Sequence, residues 1–109
     1  MRIYIASPYS AGGPLTNVRR QIDAAEQLAA KGHVAIIPLL SHYWDEVYHH
    51  PWEFWMAQCL SHLSTVDGVL RLSGVSVGAD IEVREARNIG LPVYYDIDVI
   101  PDGGNVVQD

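Results

Sequence analysis

A chain of 109 residues, 49% of them hydrophobic, is long enough for one core of ordinary size and too short for two. Its formal net charge of −6, with 7 lysine and arginine residues, argues against a groove for duplex nucleic acid but leaves room for a small anion held by backbone amides. The single cysteine, Cys59, excludes an intrachain disulfide, the N-terminal apolar run is too short for a signal peptide, and no stretch is long enough to span a bilayer; the expectation is a cytoplasmic protein without membrane association.

Residues 2–6 (Arg-Ile-Tyr-Ile-Ala) are β-branched and aromatic and predict a first strand buried on both faces. Ser7-Pro8 ends it, and Ser10-Ala11-Gly12-Gly13 is a turn leading into Pro14, which suits the first position of a helix. Val18, Ile22, Ala25 and Leu28 then recur at helical spacing up to Gly32, giving a helix over 14–31. Residues 33–38 read as a second strand, so the first unit is strand–helix–strand and the sheet is parallel. Residues 39–50 are rich in aromatic and imidazole groups without a period and predict an irregular loop.

From Pro51 onward Trp52, Trp55, Met56, Cys59, Leu60 and Leu63 fall on one helical stripe, which predicts that Cys59 is an inert core thiol. A third strand follows over 66–72, a helix over 78–88, and over 90–95 a stop followed by a fourth strand. Residues 1–100 thus read as one domain and 101–109 as a flexible tail. Strands alternating with helices make a doubly wound α/β three-layer sandwich around a four- to five-stranded parallel sheet, whose ligands bind beyond the C-terminal strand ends. Residues 7–13, the loop after Pro38 and residues 73–82 converge there.

Glu82 is the acid of interest in that crevice. The residues three and four positions away on its helix are Gly78, Ala79, Glu85 and Ala86, so its own helix supplies no cation. Such a carboxylate serves either as a nucleophile or general base, or simply as a solvated helix residue. Asp80, by contrast, has Arg84 four residues on and reads as half of an ion pair. Ser76 and Gly78 open the same helix and offer hydroxyl and amide donors to an anion, with Ser7, Tyr9, Ser10 and Gly12 beside them. Asp67 starts the third strand and either caps a turn or points into the site. His42, Tyr43 and Trp44 read as a lid or a stacking wall, with core packing or an oligomer surface as the alternative. The loop histidines lack the spacing of a metal site, and no metal or other cofactor is expected.

Ile3-Tyr4-Ile5-Ala6-Ser7-Pro8-Tyr9-Ser10, with Asp67-Gly68-Val69-Leu70-Arg71-Leu72-Ser73-Gly74 and Ser76-Val77-Gly78-Ala79-Asp80-Ile81-Glu82, resembles the nucleoside 2-deoxyribosyltransferase-like superfamily, in particular its small DUF4406-type members. The resemblance implies a flavodoxin-like sheet, a homo-oligomer, and cleavage of the N-glycosidic bond of a nucleoside or nucleoside 5′-monophosphate. It implies further that Glu82 attacks the anomeric carbon, that Ser76 helps bind a 5′-phosphate, and that residues 7–10 lie beside sugar and phosphate. Many relatives also carry an aspartate on the second helix, eight residues before the position of Asp67, that assists the departing base or orients the nucleophile; here that position is Cys59, so either Asp67, Asp45 or Asp80 takes over that catalytic role or catalysis is weak or absent. The alternatives are a non-catalytic module that senses a nucleotide-like ligand, and an assembly subunit built on the aromatic region over 43–55.

Overall fold

The computed structural model describes residues 1–103. Its sheet comprises β1 (Arg2–Ala6), β2 (Val34–Ile36), β3 (Gly68–Arg71) and β4 (Val93–Tyr94), all parallel, in the order β2-β1-β3-β4. Four helices cover it: α1 (Pro14–Ala30), α2 (Ser41–Val47), α3 (Trp52–His62) and α4 (Val77–Asn88). This is the flavodoxin-like order, and the chain changes direction across the sheet between β1 and β3.

Strand alternation divides the core into two layers. Ile3 and Ile5 of β1, with Leu70 of β3, face Ala24 and Leu28 of α1. Tyr4, Ala6 and Val69 face the opposite way, against Leu63 just beyond α3 and Ala79 and Ala86 of α4. Both faces of β1 are therefore dry from Ile3 to Ala6, which explains the aliphatic and aromatic run there, while Arg2 at its start is exposed. Complete burial of each such aliphatic side chain contributes about 1.5–3 kcal/mol.

Three elements differ from the sequence expectation. The segment after β2 is not irregular: a 3-10 turn at Pro38–Leu40 runs directly into α2. None of the residues of α2 is fully buried, so no apolar stripe betrays it in the sequence. In α1 the buried stripe is Asn17, Val18, Gln21, Ala24 and Leu28, while Ile22 is exposed; the helix buries two amides where hydropathy favours an isoleucine. The stripe of α3 is only partly covered, and Trp52 is exposed.

Beyond β4 a 3-10 turn at Ile97–Val99 brings Ile100 into the α1 layer. The Pro101 carbonyl meets His33 Nε2 at 2.6 Å, and the Gly103 amide donates to the Lys31 carbonyl. Of the tail that the sequence assigns to 101–109, Pro101 and Gly103 make these contacts, and residues 104–109 lie outside the described residues.

Candidate active site

The C-terminal ends of β1, β2 and β3 open into a cavity of about 560 Å³. Ser7, Tyr9, Ser10 and Ala11 enter it from the segment after β1, Leu39, Ser41 and His42 from the segment after β2, and Ser76, Gly78 and Glu82 from the start of α4. Trp52, Trp55, Met56 and Cys59 of α3 form an apolar wall.

Buried amides of α1 hold the loops in place. Gln21, fully buried, donates through Nε2 to the Ile5 carbonyl (3.1 Å) and to Ser7 Oγ (2.9 Å), and its Oε1 accepts from the Leu39 amide (3.1 Å). One side chain thus joins the segments after β1 and β2. Asn17 Nδ2 donates to the carbonyls of Tyr9 (2.8 Å) and Ala11 (2.7 Å), fixing the turn that follows Tyr9. Ser7 Oγ donates to the Pro8 carbonyl. A hydropathy pattern cannot flag these amides, because it assigns Asn and Gln to the surface.

The third loop is clamped from both sides. Arg71, at the end of β3, donates to the carbonyls of Leu72 and Gly74 and to Asp80 Oδ1 (3.1 Å). Asp80 is therefore paired with Arg71 of the sheet and not with Arg84; the sequence offers the local helix partner, but the buried guanidinium is the one in reach. Arg20 of α1 donates to the Ser73 carbonyl at 2.9 Å. Ser76 caps α4, its Oγ accepting from the Ala79 amide at 3.0 Å, which leaves its own hydrogen available to a ligand. The amides of Val77 and Gly78, at the start of α4, have no intrahelical acceptor.

Glu82 lies at the cavity wall with only 6% of its surface exposed. The Tyr4 hydroxyl, one strand away on β1, donates to its Oε2. Burial pushes the Glu82 carboxyl up to about 7, against the opposing pull of the Tyr4 hydrogen bond and the Arg71 charge. Burial, followed by the neighbouring Glu82 and Cys59, holds the Tyr4 phenol well above its ordinary value. Cys59 sits beside this pair, half-buried, and burial pushes its thiol up to about 11, so it is a neutral group in the cavity wall.

Several sequence candidates lie elsewhere. Asp67 precedes β3 at the other end of the strand: its Oδ2 accepts from the Arg2 amide (2.7 Å), and its own amide donates to the Arg2 carbonyl. It fastens β1 to the chain before β3 and does not line the cavity. Gly12 makes the turn into α1 at φ 89° and likewise stays outside. Tyr43 and Trp44 point away from the cavity that His42 lines; Trp44 packs edge-on against Trp55 and Phe54 and borders a separate groove. Among the described residues no set of three His, Cys, Asp or Glu side chains is placed to hold a metal ion, and no helix is long and apolar enough to cross a membrane.

None of the curated proteins compared with the chain matches it. A solved structure of a 2-deoxyribosyltransferase from the psychrotolerant bacterium Bacillus psychrosaccharolyticus superposes with a TM-score of 0.63 and 24% identity, over 85% of this chain and 69% of that one. That likeness is one of fold. The family described as a domain of unknown function, DUF4406, matches residues 1–95, and with nearly the whole described fold inside that match the chain belongs to the DUF4406 family.

Proposed function

We propose that the protein cleaves the N-glycosidic bond of a nucleoside or nucleoside 5′-monophosphate, and that it is a member of the nucleoside 2-deoxyribosyltransferase-like superfamily. Glu82 is the nucleophile: its carboxylate displaces the base at the sugar C1′, and water or a second base then releases the glycosyl group. The observation that carries this reading is the buried Glu82 carboxyl, aimed into the cavity and fixed by the Tyr4 hydroxyl, with no cation bonded to it among the described residues. An isolated carboxylate of this kind is weakly solvated and held in one orientation, which favours attack on an adjacent carbon.

In this reading Ser7, Ser10, Ser76 and Gly78 surround the sugar and any 5′-phosphate, with the free amides at the start of α4 as anion donors. His42 and the α3 tryptophans flank the base. The working form is a homo-oligomer in the cytoplasm.

The test is covalent trapping with 2-deoxy-2-fluoro nucleosides and their 5′-monophosphates, read by intact mass. The wild type is expected to gain one fluoroglycosyl group, and Glu82→Gln none. A second reading, a sensor that binds the ligand without turnover, is favoured by Cys59, which stands where many relatives carry a carboxylate. Thermal stabilisation by the nucleotide, with neither adduct nor base release, would establish the sensor and remove the enzyme.

A further inference from the structure

A second chain of exchangeable protons reaches the same cavity. Tyr9 Oη lies 2.5 Å from His42 Nδ1, and His42 Nε2 lies 3.0 Å from Glu46 Oε1, one turn along α2. Tyr9 and His42 both line the cavity with Glu82. The Glu46 side chain is 65% exposed and that of His42 12%, so the chain runs from solvent to the cavity wall. The Tyr9 and His42 rings are tilted against each other at 5.9 Å, and Tyr43 meets the imidazole edge-on, which fixes the ring.

The hydrogen-bond directions follow from the donors available. A carboxylate only accepts, so His42 carries a hydrogen on Nε2. In the neutral ring Nδ1 then accepts from the Tyr9 hydroxyl; in the imidazolium Nδ1 donates to Tyr9 and frees the phenol hydrogen for a third partner. Departure of a base from a nucleoside calls for a proton on the leaving nitrogen, and apart from His49, whose side chain is largely in solvent, the other titratable groups of the cavity are engaged. The Tyr4 hydrogen is on Glu82, and Cys59 is a thiol held near 11. Asp45 accepts from the His50 amide and Trp55 Nε1 and pairs with His49. His50 is stacked on Phe54 at 3.8 Å.

Resting on the glycosyl-transfer reading above, we propose that Tyr9, resupplied through His42 and Glu46, is the general acid that protonates the departing base. As the bond from Glu82 to C1′ forms, the C1′–N bond breaks and its electron pair stays with the base. The base nitrogen takes the Tyr9 hydrogen, and Tyr9 takes the Nδ1 hydrogen of the His42 imidazolium. His42 is left neutral with its Nε2 hydrogen on Glu46. In the second step water attacks C1′, the bond to Glu82 breaks, and the water proton passes to Tyr9 while the Tyr9 proton moves to His42, restoring the imidazolium. Burial, with the charges of Asp45 and Glu46, raises the Tyr9 phenol above its ordinary value, which keeps it protonated between turnovers.

The experiment compares two leaving groups on one sugar. Adenine, released from 2′-deoxyadenosine and its 5′-monophosphate, needs the proton; 4-nitrophenolate, released from 4-nitrophenyl 2-deoxy-β-ribofuranoside, does not. Tyr9→Phe is expected to slow adenine release about 100-fold more than nitrophenolate release. Glu46→Gln, a change at an exposed position, is expected to give a differential of about 10-fold in the same direction. Glu82→Gln stops both. Equal slowing of both reactions by Tyr9→Phe overturns the relay, as does a differential that appears in His49→Gln and not in Tyr9→Phe. A wild type that releases neither group and takes no fluorosugar overturns the glycosyl-transfer reading, and the relay with it.

Discussion

Glu82 carries a charge that the fold resists. Its carboxyl moves from an ordinary value of 4.5 to about 7 because burial disfavours the anion. The folded chain then holds this proton more tightly than the unfolded chain does, so the residue supports folding below about pH 4.5 and that support is lost as the pH rises through about 7. A shift of this size corresponds to about 3 kcal/mol at full effect. Glu82→Gln retains an acceptor for Tyr4 and carries no charge. It is expected to melt at least about 4 °C above the wild type near pH 8, with the gap narrowing toward pH 5, in thermal denaturation followed by circular dichroism. A gap of equal size at both pH values would show that the anion is not penalised. Glu82 stood out in the sequence because its own helix supplies no partner, whereas Tyr4 did not: its place in an alternating apolar strand marks it as core, and only the fold brings its hydroxyl to the acid. Asp67 misled because its position in the sequence is equally compatible with a cap and a ligand.

The loops after β1 and β3 are locked to each other at one point. Gly74 adopts φ 123°, and a Cβ placed there would lie 2.7 Å from Pro8 Cγ. Gly74→Ala is expected to cost about 1–3 kcal/mol from backbone strain alone, and the contact with Pro8 moves Ser76 away from Ser7 as well. Its melting temperature should fall and its rate of labelling by the fluoronucleoside should fall further than stability explains. Labelling and melting unchanged from wild type would mean that the two loops move independently. At this scale the strands and the long helices were legible, since each shows either a run of β-branched residues or a helical period. The short helix α2 was not: it divides its side chains between the cavity, the α3 aromatics and solvent, so no single face is apolar. The inward amides of α1 escaped for the complementary reason, that a buried polar residue is visible only through its partners.

Across the whole molecule, apolar surface remains exposed along α2 and the start of α3, at Tyr43, Trp44, Val47, Tyr48 and Trp52. Surface of this kind on so small a protein commonly marks an interface. Light scattering is expected to give a mass above that of one chain, and Val47→Glu combined with Tyr48→Glu to lower it. A wild type that stays monomeric at about 50 µM, far above the Kd of a stable complex, would refute the oligomer.

The position of β1 has a further effect during synthesis. β1 pairs on one side with β2 at Arg2↔Val34 and on the other with β3 at Ile3↔Gly68, so it is an interior strand made before both of its neighbours. Tyr4 leaves the ribosome 78 residues before Glu82, a wait of about 4–16 s at ordinary elongation rates. Until Gly68–Arg71 are made, β1 has no partner on its β3 side, and no chain shorter than 82 residues can carry the Tyr4–Glu82 pair. A nascent protein of this design therefore acquires its Tyr4–Glu82 pair only when α4, the last α-helix among the described residues, closes over the sheet.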